Sequence, residues 1–325
     1  MGRLDYVSNL FEAYVLANKI EGNPKEVYEP LNYILSLGGK KLRPKLLLFA
    51  TDMFAGNATD ALPFAHGIEV FHNFSLLHDD IMDKANNRRN KPTAHKVYGV
   101  NNTLLSGDLM LTHAVYLMTK AKNAKLAVVN EFLKTAVEVC EGQQFDMNFE
   151  NNDEVTEKEY LKMIKLKTAV LFASGLKIGA MLANATEENC NNIYAFGINL
   201  GMAFQVQDDL LDTYGNEAEF GKKIGGDIEQ NKRTLLYIYT YNNANETDKK
   251  ALASLYNTNK NLGFEQKYKE VVNLFNKYNA KQLAIDLQNE YYQKSLEALA
   301  NIKQASNNHI DELKALSNKM LSRKV

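Results

Sequence analysis

Two short stretches carry residues that could do metal chemistry. Leu77-His78-Asp79-Asp80-Ile81-Met82-Asp83 and Gln207-Asp208-Asp209-Leu210-Leu211-Asp212 both contain Asp-Asp-x-x-Asp, and both lie in apolar, helix-like surroundings. Residues four apart share a helix face, which sets Asp79 beside Asp83 and Asp208 beside Asp212. Partly buried carboxylates ~5 Å apart repel by roughly 3 kcal/mol at an effective dielectric near 20. A divalent cation is the natural compensation. The donors are hard oxygens only, which favours magnesium over zinc or copper. Magnesium uses one or two carboxylates, keeps several waters and completes its shell from phosphate oxygens. The candidate metal ligands are therefore Asp79, Asp80, Asp83, Asp208, Asp209 and Asp212. A solvated acidic helix face accounts for one such cluster, but poorly for two. An EF-hand loop needs a central Gly and a Glu at its twelfth position, and neither cluster supplies both.

Binding phosphate also needs positive charge. Gly38-Gly39-Lys40-Lys41-Leu42-Arg43-Pro44 puts two glycines ahead of Lys and Arg. Arg88-Arg89 follows the first acidic cluster, Lys167-Thr168 lies mid-chain on a helical pattern, and Lys222 and Lys232 flank the Gly-rich stretch ending at Asp227. Arg offers planar, bidentate contacts to phosphate and Lys a mobile point charge. Taken singly each is an ordinary surface cation. Together, around two metal-type clusters, they outline a diphosphate site.

The elements that must position these groups read as helices. All five prolines fall in the first 92 of 325 residues, and the remainder is rich in good helix formers. Strand signals are scarce. Thr156-Glu157-Lys158-Glu159 fits a capping box ahead of an apolar face of Tyr160, Met163, Ile164 and Leu171. Ile193 to Leu211 is apolar on most sides, as a buried helix is. Loops are expected at Asn86–Asn90, Glu150–Asp153, Gly215–Gly226 and Asn242–Asp248. No low-complexity linker or repeat interrupts the pattern, so the simplest account is a single all-α domain, residues 1–325.

The net charge of -1, from 38 basic and 39 acidic residues, argues against nucleic acid or a membrane surface as partner. No run approaches the ~20 apolar residues of a transmembrane helix. The first twenty residues lack a signal-type apolar core. Cys140 and Cys190 are in neither a CxxC pair nor a zinc-type spacing. Reduced thiols and a cytoplasmic location are the expectation.

At this point the chain resembles the trans-isoprenyl diphosphate synthases, the polyprenyl synthetase family. The motifs run in the family's order: Gly-Gly-Lys-x-x-Arg-Pro at Gly38–Pro44, Asp79–Asp83 with Arg88-Arg89, Gly107-Asp108, Gly142-Gln143-x-x-Asp146, and Lys167-Thr168. Phe204-Gln205 then leads into the second acidic motif, followed by Gly-Lys-x-x-Gly-x-Asp-Ile at Gly221–Ile228 and by Lys232. The resemblance implies a bundle of long helices around a central cavity, a homodimer, and the two acidic motifs facing each other across the cavity mouth. It implies two magnesium ions on Asp79 and Asp83 and a third on Asp208 and Asp212, with Asp80 and Asp209 nearby. Arg88, Lys167, Lys222 and Lys232 would bind an allylic diphosphate. Lys40, Arg43, His72 and Arg89 would bind isopentenyl diphosphate. Thr168 and Gln205 would sit beside the allylic carbon, with Gln143 and Asp146 as supports. One departure is Asn90, where the family commonly has Gly; Asn tolerates positive φ, so the turn is expected to survive.

The chemistry implied is ionisation, condensation and elimination in a dry cavity, with Gly215–Gly226 as a lid. Phe74 and Ser75 lie five and four residues before Asp79, about one helical turn deeper. A bulky Phe74 resembles the cavity floor of short-chain members and predicts products of about fifteen to twenty carbons. Rival readings are a longer-chain synthase, a terpene cyclase, which would not need the cations for isopentenyl diphosphate, and a non-catalytic subunit, which would be expected to have lost one acidic motif. The terminal Arg323-Lys324 reads as a frayed tail.

Overall fold

Helices account for nearly all of the regular structure. The computed structural model describes residues 2–122, 125–150, 152–216, 224–257 and 263–322. Lys222, most of the expected lid stretch and Arg323-Lys324 lie outside the described residues. The contacts group the chain into two compact units. The first comprises Met1–Lys134, Ser174–Ile193 and Lys303–Glu312; the second comprises Thr135–Ala173, Tyr194–Ile302 and Leu313–Val325.

The first unit opens with α1 (Arg3–Ala17), α2 (Lys25–Ser36), α3 (Leu42–Met53) and α4 (Leu62–Met82). α4 buries residues on every side, from Phe64 and Ile68 to Phe71 and Leu77, so it is a core helix rather than an amphipathic surface one. It packs chiefly on α6 (Val100–Thr119), which follows the short α5 (Ala94–Tyr98). Between α4 and α5 lies the only strand pair among the described residues, β1 (Asn87–Arg88) and β2 (Lys91–Pro92), in register Asn87↔Pro92 and Arg88↔Lys91. Its two turn residues, Arg89 and Asn90, have φ of 52° and 61°. Positive φ at both centres is the turn that matches strand twist in a two-residue hairpin. Asn90 therefore sustains the turn, as expected.

The chain then runs through α7 (Leu126–Phe149), α8 (Glu157–Ile164), α9 (Val170–Leu182) and α10 (Glu187–Tyr214). The capping box predicted at Thr156 is present: Glu159 N–H donates to Thr156 Oγ1, and Thr156 N–H donates to Glu159 Oε2. α8 does not continue directly into α9. Lys165–Ala169 forms a π-helical turn between them. One extra residue in a helical turn re-aims the side chains it carries and is frequent at functional sites. The second unit closes with α11 (Gly226–Glu229), α12 (Leu235–Asn243), α13 (Glu246–Asn257), α14 (Phe264–Lys277) and α15 (Ala280–Ala300), and α16 (Asn307–Leu321) ends the described chain. Val206, Leu210, Leu235, Leu236, Ile238, Leu252, Val271 and Phe275 share its core. Each buried aliphatic of this kind contributes roughly 1.5–3 kcal/mol. No described helix is long and apolar enough to cross a membrane. Cys140 is exposed, Cys190 is buried, and neither is bridged.

Candidate active site

Each unit carries one acidic cluster, and the two are built alike. Asp79 and Asp80 are on the last turn of α4, and Asp83 caps it, its N–H returning to Asp79 O at 2.9 Å. Asp79 and Asp83 are half-buried, whereas Asp80 is 2% exposed. On α10, Asp208 and Asp212 are half-buried and Asp209 is 3% exposed. The reason is geometric: successive helical residues point ~100° apart, so the second Asp leaves the face that the first and last share. The two motifs offer all six carboxylates as one metal set; the structure divides them into two outward pairs and two inward singles.

In the first unit Arg88 serves both kinds. Its Nε donates to Asp80 Oδ2 at 2.8 Å and its Nη2 to Asp79 Oδ2 at 3.3 Å. Burial pushes the Asp80 carboxyl up, against the opposing pull of Arg88. Burial also works against the Arg88 charge, but the hydrogen bond to Asp80 and the fields of the three aspartates raise its pKa overall.

A cationic group gathers near the start of α3. Gly38 and Gly39 adopt φ of 79° and 134°. The φ of Gly39 is one that side-chain-bearing residues rarely adopt, and a Cβ there would also stand 2.8 Å from the Arg89 guanidinium, which lies against the loop. Arg43 Nη1 meets His72 Nε2 at 3.2 Å. Arg can only donate, which leaves His72 Nε2 as the acceptor and puts a neutral ring's proton on Nδ1. Burial, then Arg43, Arg89 and Arg88, hold the His72 pKa well below 6.5. Lys40 is exposed at the edge of the group. The sequence reading missed the balancing charge, Glu69, one helical turn before His72. It is 7% exposed and accepts from Asn73 Nδ2 at 3.1 Å. Burial raises its pKa, while Asn73, Arg43, Lys41 and Arg89 pull it down. An acid inside the apolar run from Phe64 to Phe74 was the available signal. Glu69 Oε2 and Arg43 Nε are buried without a protein partner, which marks this group as polar and incompletely satisfied.

Phe74 is 8% exposed, its ring 5.5 Å from Phe71 and 4.8 Å from His78. Phe71 in turn meets Phe132 edge-on at 5.2 Å. Ser75 Oγ donates to its own helix at His72 O. His78 is held against α6, its Nε2 3.0 Å from Leu104 O and its ring over Gly107, where a Cβ would clash at 2.0 Å.

In the second unit, the π-helical turn presents Lys167 and Thr168. Lys167 Nζ donates to Asp146 Oδ2 on α7 at 2.6 Å. Thr168 Oγ1 donates to Gln205 Oε1 on α10 at 3.2 Å. Gln205 Nε2 donates to Asp209 Oδ1, and Asp209 Oδ2 accepts from Tyr160 Oη at 2.5 Å and from Leu235 N–H at 3.4 Å. Burial and then Asp227 push the Asp209 carboxyl up, against hydrogen bonds from Tyr160 and Gln205. Asp212 Oδ2 accepts from Asp227 N–H at 3.0 Å, the turn that opens α11. Lys232 is half-buried in the loop after α11. The helical pattern places Tyr160 among apolar core positions, and its hydroxyl has no sequence signal.

Within each unit the outward carboxylates form a pair rather than a complete shell, and among the described residues no group of three acidic, His or Cys side chains could hold an ion. That donor set suits magnesium, which takes few protein oxygens and completes its shell from water and phosphate.

The sequence pattern of the polyprenyl synthetase family matches residues 24–275. The geranylgeranyl diphosphate synthase of Sulfolobus acidocaldarius is 34% identical over 318 residues, covering 93% of this chain and 94% of that protein. The geranylfarnesyl diphosphate synthase of Natronomonas pharaonis is 37% identical over 235 residues, 66% of this chain and 69% of that one. A crystal structure of a geranylgeranyl pyrophosphate synthase superposes with a TM-score of 0.92 at 38% identity, covering all of both chains. That of the Pyrococcus horikoshii geranylgeranyl pyrophosphate synthetase gives 0.91 at 32% identity over 99% of this chain and 98% of that one.

Proposed function

The chain belongs to the polyprenyl synthetase family, and from that premise we propose that it joins isopentenyl diphosphate head to tail (1′-4) to an allylic diphosphate, releasing diphosphate. It is a trans-prenyltransferase of the short-chain type, with products of about fifteen to twenty carbons. The observation that carries the reading is the twofold Asp-Asp-x-x-Asp, each copy turning its first and last carboxylates outward, in a chain similar to geranylgeranyl diphosphate synthases from end to end. The same similarity supports treating residues 1–325 as one polyprenyl synthetase domain.

Asp79 and Asp83 would hold two magnesium ions and Asp208 with Asp212 a third. Bound magnesium supplies Lewis-acid stabilisation of charge developing on the leaving diphosphate. Arg88, Lys167, Lys222 and Lys232 bind the allylic diphosphate; Lys40, Arg43, His72 and Arg89 bind that of isopentenyl diphosphate. His72, neutral and held by Arg43, gives this second group a fixed polar edge. Thr168 Oγ1 and the Lys167 carbonyl direct their dipoles at the positive charge formed on the allylic carbon. The released diphosphate removes the final proton. Phe74, braced by Phe71 and Phe132, forms the floor against which the chain stops growing, with room left beside Ser75.

The protein works as a homodimer and in the cytoplasm. For the dimer the support is a face of large apolar side chains on α5 and α6. Val97, Val100, Leu104 and Leu105, around the junction of α5 and α6, are 46–59% exposed, more than a solitary soluble surface usually carries in so short a stretch. Incubating the purified protein alone with magnesium, labelled isopentenyl diphosphate and C5, C10 or C15 allylic primers tests the whole reading. Products of C15–C20 that vanish on chelation are expected. Much longer products would move the floor, and no product with any primer would sink the catalytic reading in favour of a subunit that needs a partner.

A further inference from the structure

Asp209 sits one residue from a carboxylate assigned to metal, yet its surroundings are those of a structural acceptor. It is 3% exposed and receives three protein donors: Tyr160 O–H, Leu235 N–H and Gln205 Nε2. These come from α8, from the first residue of α12 and from the preceding turn of α10 itself. A carboxylate has about four acceptor positions, so three of Asp209's are filled by the protein and its face toward solvent is closed.

The other end of this chain of hydrogen bonds is the residue pair assigned to the reacting carbon. In the structure the amide nitrogen of Gln205 faces Asp209 Oδ1 at 3.2 Å. That turns Gln205 Oε1 toward Thr168 Oγ1, 3.2 Å away. Thr168 then commits its single hydroxyl proton to Gln205, and the lone pairs of its oxygen are what remain to face a substrate. With the Gln205 amide reversed, its NH₂ would point at Thr168, and the threonine proton would be free to point at the reacting carbon. The dipole there would have the wrong sign for a carbocation. The orientation of one amide therefore sets the polarity of the hydroxyl, and nothing in Gln205 itself chooses between the two orientations.

We infer that Tyr160 and Asp209 are positioning residues: they lock the Gln205 amide, and through it the Thr168 hydroxyl, and Asp209 is not a magnesium ligand. Tyr160 is suited to this. It is 3% exposed, on a helix whose first turn is fixed by the Thr156–Glu159 capping box, and that helix runs directly into the turn that carries Thr168. One helix thus braces both ends of the chain.

The inference rests on the prenyltransferase reading above, and its test separates the two. Tyr160→Phe, Asp209→Asn and, as the metal comparator, Asp208→Asn are compared with wild type. Binding of Mn²⁺ in the presence of inorganic diphosphate is followed by electron paramagnetic resonance, and kcat and KM are measured with isopentenyl diphosphate and an allylic primer. Tyr160→Phe and Asp209→Asn are expected to bind Mn²⁺ within about twofold of wild type and to keep KM within about threefold, while kcat falls about 30-fold or more, the signature of lost transition-state orientation. Asp208→Asn is expected to lose Mn²⁺ affinity by about tenfold or more. Loss of Mn²⁺ binding in a folded Asp209→Asn matching that of Asp208→Asn overturns the inference, as does an unchanged kcat in Tyr160→Phe. If Asp209→Asn does not fold, Tyr160→Phe, which removes one hydroxyl, decides alone. A wild type that binds Mn²⁺ with diphosphate but makes no prenyl product overturns the functional reading, and this inference with it.

Discussion

A Cβ on Gly142 would stand 2.3 Å from the amide nitrogen of Lys167, so α7 and the π-helical turn touch backbone to backbone. On the other side of the turn, a Cβ on Gly201 of α10 would meet Ala169 Cα at 2.8 Å. The turn is held between two helices that each omit a side chain. Gly142→Ala is expected to push Lys167 and Thr168 outward by a large fraction of an ångström. Overpacking of this kind costs about 1–3 kcal/mol of stability. A misplacement approaching 1 Å costs about 100-fold in rate. Denaturant unfolding and steady-state kinetics check the two separately; wild-type kcat in Gly142→Ala would falsify the idea that this close approach aims the turn.

Asp80 depends on Arg88 more than Arg88 depends on it. Its side chain is 3% exposed, and Asp80 Oδ1 is buried without a protein partner. Arg88→Leu therefore leaves a buried, uncompensated carboxylate, an expected loss of about 3 kcal/mol. Adding Asp80→Asn should recover much of it. A double-mutant cycle by urea unfolding measures the coupling, and additive losses would show that the pair does not act together.

His66 gives stability a slope in mildly acidic solution. Burial, then the nearby His113 and Lys41, lower its pKa from 6.5 to about 4, and its Nδ1 is buried without a partner. The unfolded chain takes up this proton first, so the stability present above pH 6.5 is lost as pH falls through the folded value. Between pH 7 and pH 5 the loss from this one group comes to about 2 kcal/mol. In His66→Phe the unfolding free energy should fall less steeply over that interval. An identical slope in both proteins would remove His66 as the cause.

Phe74 offers a readout in product size. If it is the floor, Phe74→Ala should extend products beyond about twenty carbons until the chain meets Phe71 and Phe132, the next rings of the column. Chromatography of the dephosphorylated products reads this directly. An unaltered product would place the floor elsewhere.

What the sequence made legible was whatever rests on local patterning. The helical class, the Thr156 cap, the buried course of Ile193 to Leu211 and the tolerance of Asn90 for its turn all follow from spacing and backbone preference, and the structure bears them out. The π-helical turn did not show, because no local pattern marks it; what packs against it is two glycines on helices remote in sequence. Nor did the inward direction of Asp80 and Asp209, although the ~100° step between helical neighbours would have divided each doublet. Glu69 and Tyr160 were passed over for opposite reasons. One was an acid standing out in an apolar helix, a signal that was there to be used; the other was a tyrosine whose ring fits a core and whose hydroxyl function depends on Asp209.

The hairpin turn has a consequence for engineering. Arg89 holds φ of 52°, a conformation that costs a non-glycine residue about 1–2 kcal/mol. Arg89→Gly should relieve that strain and raise the melting temperature and, with Arg89 in the role proposed for it, weaken the capture of isopentenyl diphosphate. A screen that selects only for heat tolerance would be drawn to this position, and the variants it enriched would be sturdier proteins and poorer enzymes.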